Sequence, residues 1–359
     1  MRDTGQHANV RFERFDPVGV LSPRGSRHPS PVLRGAMASS ADDDPMVRDY
    51  EIRMLDSISS MFSQRPRTYR ELGRATLGAV AAISIGCSDG TGPGLSPLPT
   101  QPIVFMRPFS GWDIVRINPD GTGETTLTTN PRDDMNPSWS PDRKRIAYVS
   151  SRADGIGVYV MDADGTNQRL VFHPKLAEVH APDKPAWAPD QQWLAYFERF
   201  NLIRVRLDGT DERAIGEGAE PSWSPDGQRI AFVWNGGISA SNIDGSDRRL
   251  VVASGSYPAW SSDGRRIAYA AGDRGARFIY TVKVDGTDVR RITEITDSTK
   301  VTDESPAWSP DGGWIAFQRQ HGCVSLVYCI GAWDIFVTRA DGADLRQVTT
   351  NGKSVRPSW

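Results

Sequence analysis

Three groups of residues have types and spacings that could do chemistry. His173, Glu178, His180 and Asp183 share one short stretch. Imidazole nitrogens and carboxylate oxygens are the donors of zinc and related transition-metal sites. A third imidazole, His321, is remote in the chain, and three histidines so separated make a poor ligand set; they read as solvated loop residues, and no metal is expected. The stretch "DADGTN", Asp162 to Asn167, looks like part of a calcium loop. It lacks the full Asp-x-Asp-x-Asp-Gly pattern with a distant Glu. The same Asp-Gly pair recurs where only a turn is needed. Cys323 and Cys329 flank "VSLVY". In an exported protein two cysteines in one inserted hairpin suggest a disulfide. Free thiols, or metal binding with His321, are the alternatives. No spacing assembles a nucleophile, a base and an oxyanion donor. No catalytic residue and no cofactor is therefore assigned.

The elements that would position such residues follow from self-similarity. Pro-Ser/Ala-Trp occurs six times, ending at Trp139, Trp187, Trp223, Trp260, Trp308 and Trp359. Five copies run into a turn such as "SPDG" and then into a short apolar stretch: "RIAYV", "WLAYF", "RIAFV", "RIAYA" or "WIAFQ". Pro presets φ for such a turn and Gly accepts a positive φ. A small residue inside a β run leaves space for a neighbouring sheet. Each unit continues into a second turn, Asp-Gly, which between two β runs is a strong hairpin signal. One unit thus holds four strands, A (Pro-x-Trp), B (Ile-Ala-Tyr), C and D. Four strands in roughly 40–45 residues is the arithmetic of a β-propeller blade. The first unit begins at strand B, "PIVFMR", and the chain ends on a spare strand A, "SVRPSW". The expectation is an all-β, six-bladed propeller of four-stranded blades over residues 101–359, closed by pairing of the C-terminal strand into the N-terminal blade.

Spacing separates scaffold from function. From each of the first five tryptophans to the next strand-B apolar residue the distance is seven. From strand B to the Asp-Gly turn it grows from 14 to 18 (Ile146 to Asp164) and 26 (Ile315 to Asp341). Antiparallel strands put A–B and C–D turns on one face and B–C and D–A loops on the other. The variation therefore falls on one face, and variable loops on a rigid scaffold are where binding sits. Strand A is innermost, so the residues before each Pro should ring the channel mouth: Asn136, Lys184, Glu220, Tyr257, Ser305 and Arg356, with Asp134, Asp183 and Glu304 close by.

The chain is 24% charged and 38% hydrophobic with a net charge of −2. That is a globular balance without the basic field of a nucleic-acid binder. No apolar run reaches the ~18 residues of a spanning helix. Residues 1–60 read as a disordered extension or a mis-assigned start, with Met61, Met54 or Met46 as the alternative initiators. Residues 61–86 carry four Arg and then an apolar stretch of signal-peptide size. The ending "SIGC" resembles the bacterial lipoprotein signal, with Cys87 as the lipidated residue. Residues 87–100 read as a Gly/Pro/Ser tether.

The repeat resembles the TolB-like (WD40-like) propeller family, which also supplies the propeller of prolyl oligopeptidase relatives. The resemblance covers residues 101–359. It is not to TolB as a whole, because residues 1–100 are too Pro/Gly-rich for the α/β domain that precedes the TolB propeller. The peptidases carry a hydrolase domain, and no Gly-x-Ser-x-Gly elbow occurs here. The reading is a non-catalytic, monomeric binding or scaffolding protein of the cell envelope, periplasmic or an outer-membrane lipoprotein anchored through Cys87. Its partner would be an envelope protein or peptide met at the mouth. The alternative is an envelope enzyme, a glycan lyase or hydrolase, with its site at the same mouth.

Overall fold

The computed structural model describes residues 95–109, 111–152, 155–173, 184–272, 276–294, 300–323 and 332–359. Cys87 and Cys329 lie outside them, as do the proposed leader, Glu178, His180 and Asp183. Lipidation and the Cys323–Cys329 bridge therefore remain expectations.

The described strands form six four-stranded antiparallel sheets. Five are consecutive meanders, and the sixth joins the last strand of the chain to the first three. That closing strand, Val355–Ser358, pairs antiparallel with Ile103–Pro108. Blade one thus holds residues 103–126 and 355–358. Blades two to six follow at 134–172, 186–217, 219–252, 256–291 and 300–347.

Each blade is a thin sheet that must bury both faces against its neighbours, and the repeat supplies what that needs. The central alanines of strand B, Ala147, Ala195, Ala231, Ala268 and Ala316, are fully buried. Their small side chains let the next sheet approach. The repeated tryptophans fill the seams. Trp187 donates its indole N–H to Ser138 O of blade two at 3.0 Å, and Trp308 does the same to Ala259 O of blade five at 3.0 Å. Trp359 packs into the seam between blades six and one with Phe105, Ile117, Trp314 and Ile335. Its indole donates to Gln101 O at 2.8 Å.

The Asp-Gly turns do more than reverse the chain. Asp164 Oδ1 accepts from the Thr166 amide at 3.0 Å and its hydroxyl at 2.6 Å, which bears out the turn reading of "DADGTN". The equivalent hydroxyls of Thr122, Thr210, Ser246 and Thr287 hold Asp120, Asp208, Asp244 and Asp285 below the ordinary carboxylate range, as Thr166 does Asp164. A depressed folded-state pKa stabilises above the unfolded value and is lost as pH falls through the folded one, so acid should loosen these turns. The glycine sits against the preceding blade. At Gly245 (φ +84°) a Cβ would lie 2.0 Å from Ile215 O. Gly165, Gly209, Gly286 and Gly342 meet the preceding outer strand in the same way, and Gly121 meets Val348 O of blade six across the closing seam.

Of the stretch read as a tether, residues 95–100 are described, and they are strapped to blade six. The Ser96 amide donates to Asp344 Oδ2 at 3.0 Å, Arg346 donates to Ser96 O at 2.6 Å, and Leu98 packs on the core of the closing seam. Polar pairing with blade six, absent from a Gly/Pro composition argument, holds this part down.

Candidate functional site: the mouth of the ring

The residue before the proline of strand A has the same unusual backbone in five blades. Asn136, Glu220, Tyr257, Ser305 and Arg356 have φ of 53–57°. Register shifts at this point mark a β-bulge in each of those blades. The bulge explains the left-handed conformation, which is rare for side chains such as Tyr and Arg. Its recurrence makes it a property of the scaffold. Blade three is the exception: its inner strand is cut to Ala186–Trp187, and Lys184 precedes it.

The bulges bring the mouth side chains together in a network that runs from blade four to blade one. The Tyr257 amide donates to the Glu220 carboxylate. The Arg356 guanidinium lies over the Tyr257 ring at 4.6 Å. The Arg356 amide donates to Gln318 Oε1 at 2.7 Å, and Gln318 Nε2 donates to Glu304 Oε2 at 3.2 Å. Arg277 pairs with Glu304 at 2.9 Å and also donates to Ser256 Oγ. Lys184 spans from blade three to blade one, donating to Pro357 O at 3.1 Å. Burial among these groups pushes the Tyr257 hydroxyl well above the usual phenol range, so it is a neutral donor at any physiological pH.

Not every expected mouth residue is presented. Asn136, Lys184, Glu220, Tyr257 and Arg356 are half-buried, but Ser305 is only 6% exposed. Arg277 and Gln318 were missed by reading strand A alone. Gln318 had a signal, since it replaces Met106, Val149, Phe197, Val233 and Ala270 of the other blades at one register position. A polar residue at a repeat position that is otherwise apolar needs a partner. Beside it, Arg319 and Asp303 form a buried bidentate pair at 2.6 and 2.8 Å. Around the rim, two B–C turns present aromatics: Phe109 (57% exposed) and Phe200 (42% exposed). Phe200 and Arg199 both have positive φ in a two-residue hairpin turn, positions that favour Asn-Gly.

The described histidines, His173 and His321, each have a partner in their own blade, and no metal-holding group occurs among the described residues. His173 Nδ1 lies 3.1 Å from Ile156 O in blade two, and His321 Nε2 lies 2.9 Å from Asp334 Oδ2 in blade six.

Blade one carries a buried carboxylate at the loop face. Burial raises the Asp113 pKa to about 6, against the Thr128 hydroxyl that donates to it, with Asp134 and Asp133 adding to the rise. A carboxyl with a raised folded-state pKa destabilises when ionised, and the penalty is relieved as pH falls from about 6 toward 3.8. Asp113→Asn should therefore melt several degrees above the wild type at pH 7.5, with the gap shrinking below pH 6 and gone near pH 4 by the same linkage, of roughly 1–3 kcal/mol. A gap independent of pH would contradict the buried-charge reading.

The fold and its mouth define a class, six-bladed propellers that present variable loops around a closed ring. The ring is similar to TolB propellers. Residues 198–359 match the family model described as PD40, TolB beta propeller domain. A segment covering 24% of the chain is 33% identical over 86 residues to the "Tol-Pal system protein TolB" of Geobacter sulfurreducens, and it spans 19% of that protein. Among solved structures, TolB from Acinetobacter baumannii superposes with a TM-score of 0.58 at 17% identity, covering 74% of this chain and 68% of that one. A putative TolB from Agrobacterium tumefaciens gives 0.56 at 20% identity, covering 68% and 89%. At these identities the structural likeness speaks for the fold.

Proposed function

We propose that this chain is a non-catalytic binding or scaffolding protein of the cell envelope that meets a protein or peptide partner at the loop-face mouth. The observation that carries the reading is the network at that mouth. Tyr257 and Arg356 are stacked and aligned by backbone bulges, ringed by Lys184, Glu220 and Glu304. Tyr and Arg are the commonest anchors of protein interfaces, and preorganisation lowers the cost of binding. An envelope location is supported by the similarity to a Tol-Pal system protein. A lipid anchor at Cys87 fits that location.

The test is capture from crosslinked envelopes by the tagged full-length chain. Replacing Glu220, Tyr257 and Arg356 together by Ala should abolish capture while the ring stays folded. Replacing Asp226, Asp244 and Asp263 on the opposite face should cost stability, because each holds a turn (Asp226 and Asp263 accept from Ser224 and Ser261), yet spare capture. Capture lost by the turn variant and kept by the mouth variant would place the function on the other face.

A further inference from the structure

A cleft of about 670 Å³ opens on the turn face, between blades four and five. It lies on the opposite side from the mouth and does not depend on the reading above. Its cause is local and visible in the register. At the strand-C position opposite the central small residue of strand B, the six blades carry Arg116, Val160, Arg204, Ala240, Thr281 and Val337. In blade one the arginine crosses to the next blade's turn, where Arg116 donates to Ala163 O at 2.9 Å. In blade three Arg204 stacks on Trp193 at 4.9 Å and acts on Asp244 of the next blade's turn. Blade four has Ala240 there. Its neighbours Ser239 and Ser241 are also the smallest at their positions, where the other blades carry Val, Ile, Tyr, Phe, Met or Thr. At these three positions the middle of blade four offers the groove only small side chains.

The lining is cationic in a chain whose net charge is −2. Arg265 and Lys283 line it from blade five, and among the described residues neither side chain forms a hydrogen bond or ion pair. The carboxylates in the lining are already committed. Asp263 accepts from its own turn at Ser261 Oγ and the Arg265 amide, Asp285 accepts from Thr287, and Asp247 pairs with Arg249. Arg265 and Lys283, each near a carboxylate of its own turn but without a side-chain hydrogen bond among the described residues, therefore line a space of ligand size. Leu250, 62% exposed, supplies an apolar floor on the blade-four side.

We propose that this cleft binds a phosphate-bearing ligand of sugar size. Its dianion would be shared by Arg265 and Lys283, through charge-assisted hydrogen bonds, and its ring would lie on Leu250. The phosphate could be carried by a soluble sugar phosphate or by a lipid headgroup. Calorimetry on the full-length chain distinguishes these, with glucose 6-phosphate, glucose, inorganic phosphate, and phosphatidylcholine vesicles with and without phosphatidic acid as probes. Glucose 6-phosphate should bind, glucose should not, and affinity should fall as salt is raised. Stronger binding to the phosphatidic-acid vesicles would assign the lipid source. Arg265→Glu with Lys283→Glu should weaken the phosphate-bearing probe at least tenfold. Ala240→Arg, which restores the side chain that blades one and three use to fill this groove, should do the same. Lys144→Glu, on another turn of the same face, should leave binding unchanged, and thermal melts check that each variant is folded. Should Ala240→Arg fail to fold, the charge-reversal pair decides alone. Absence of binding by every phosphate-bearing probe, or wild-type binding by the charge-reversal variant, would overturn the proposal.

Discussion

A chain ending at Ser354 should melt far below the full chain, or fail to fold. The deleted strand pairs with Ile103–Pro108, and its loss exposes the inner edge of blade one. It also removes the acceptor Ser358 Oγ of the Trp139 amide (3.2 Å), the acceptor Pro357 O of Lys184, and the Arg356 stack on Tyr257. Trp359 alone, 7% exposed in the closing core, is a large-to-small loss of about 3–5 kcal/mol when replaced by Ala. For a domain of this size each kcal/mol is worth roughly 2–4 °C, so Trp359→Ala should lower the melting temperature by on the order of 10 °C. The truncation should exceed that. Melts that coincide with the full chain would mean that the last strand is outside the ring.

Gly245→Ala should be among the most damaging single-methyl additions in the protein, and Gly236→Ala a mild one. Both glycines have positive φ, +84° and +75°. An L side chain in that region costs on the order of 1–2 kcal/mol at either site. They differ in space. The new Cβ at Gly236 meets nothing within 4 Å, whereas at Gly245 it would lie 2.0 Å from the Ile215 carbonyl oxygen. That atom is backbone of a packed strand, so relief requires blades three and four to part. Denaturant melts should show Gly236→Ala within about 2 kcal/mol of wild type, and Gly245→Ala losing well over twice as much through added overpacking. Equal losses would show that turn conformation alone selects these glycines and that the seam is slack.

Those two glycines show where sequence reasoning stops. Asp244-Gly245 reads as a hairpin turn in the repeat, and both it and Asn235-Gly236 are turns. Only Gly245 is also an inter-blade contact, made with a residue thirty positions away, and the turn chemistry of Asp-Gly already accounts for its presence. Blade number, strand order and ring closure were legible because each rests on a local pattern repeated six times; Pro-Ser-Trp at the chain end needs only comparison with Pro-Ser-Trp at residues 137–139. The recurring position before each strand-A proline was legible for the same reason, and in five blades it shares one backbone conformation. The interactions of the residues there were not legible. Lys184 reaching Pro357 joins blade three to blade one, and Arg356 on Tyr257 joins blade one to blade five. No periodicity encodes contacts across a channel. Ser305 obeys the repeat yet is buried, which its place in the repeat does not reveal. The turn-face cleft arises from small residues, Ser239 to Ser241, at positions whose meaning appears only when the six registers are aligned.

The most direct measurement of function at the mouth is site-specific photocrosslinking in intact cells. A photoreactive amino acid would be placed at Asn136, half-buried on the inner ring, at Phe109, exposed on the loop-face rim, and at Lys144, exposed on a turn of the opposite face. The prediction is one discrete protein or peptide adduct from Asn136 and Phe109, absent from Lys144 and lost from both mouth positions when Glu220, Tyr257 and Arg356 are replaced by Ala. An adduct from Lys144 alone, or mouth adducts that persist in the triple variant, would contradict it.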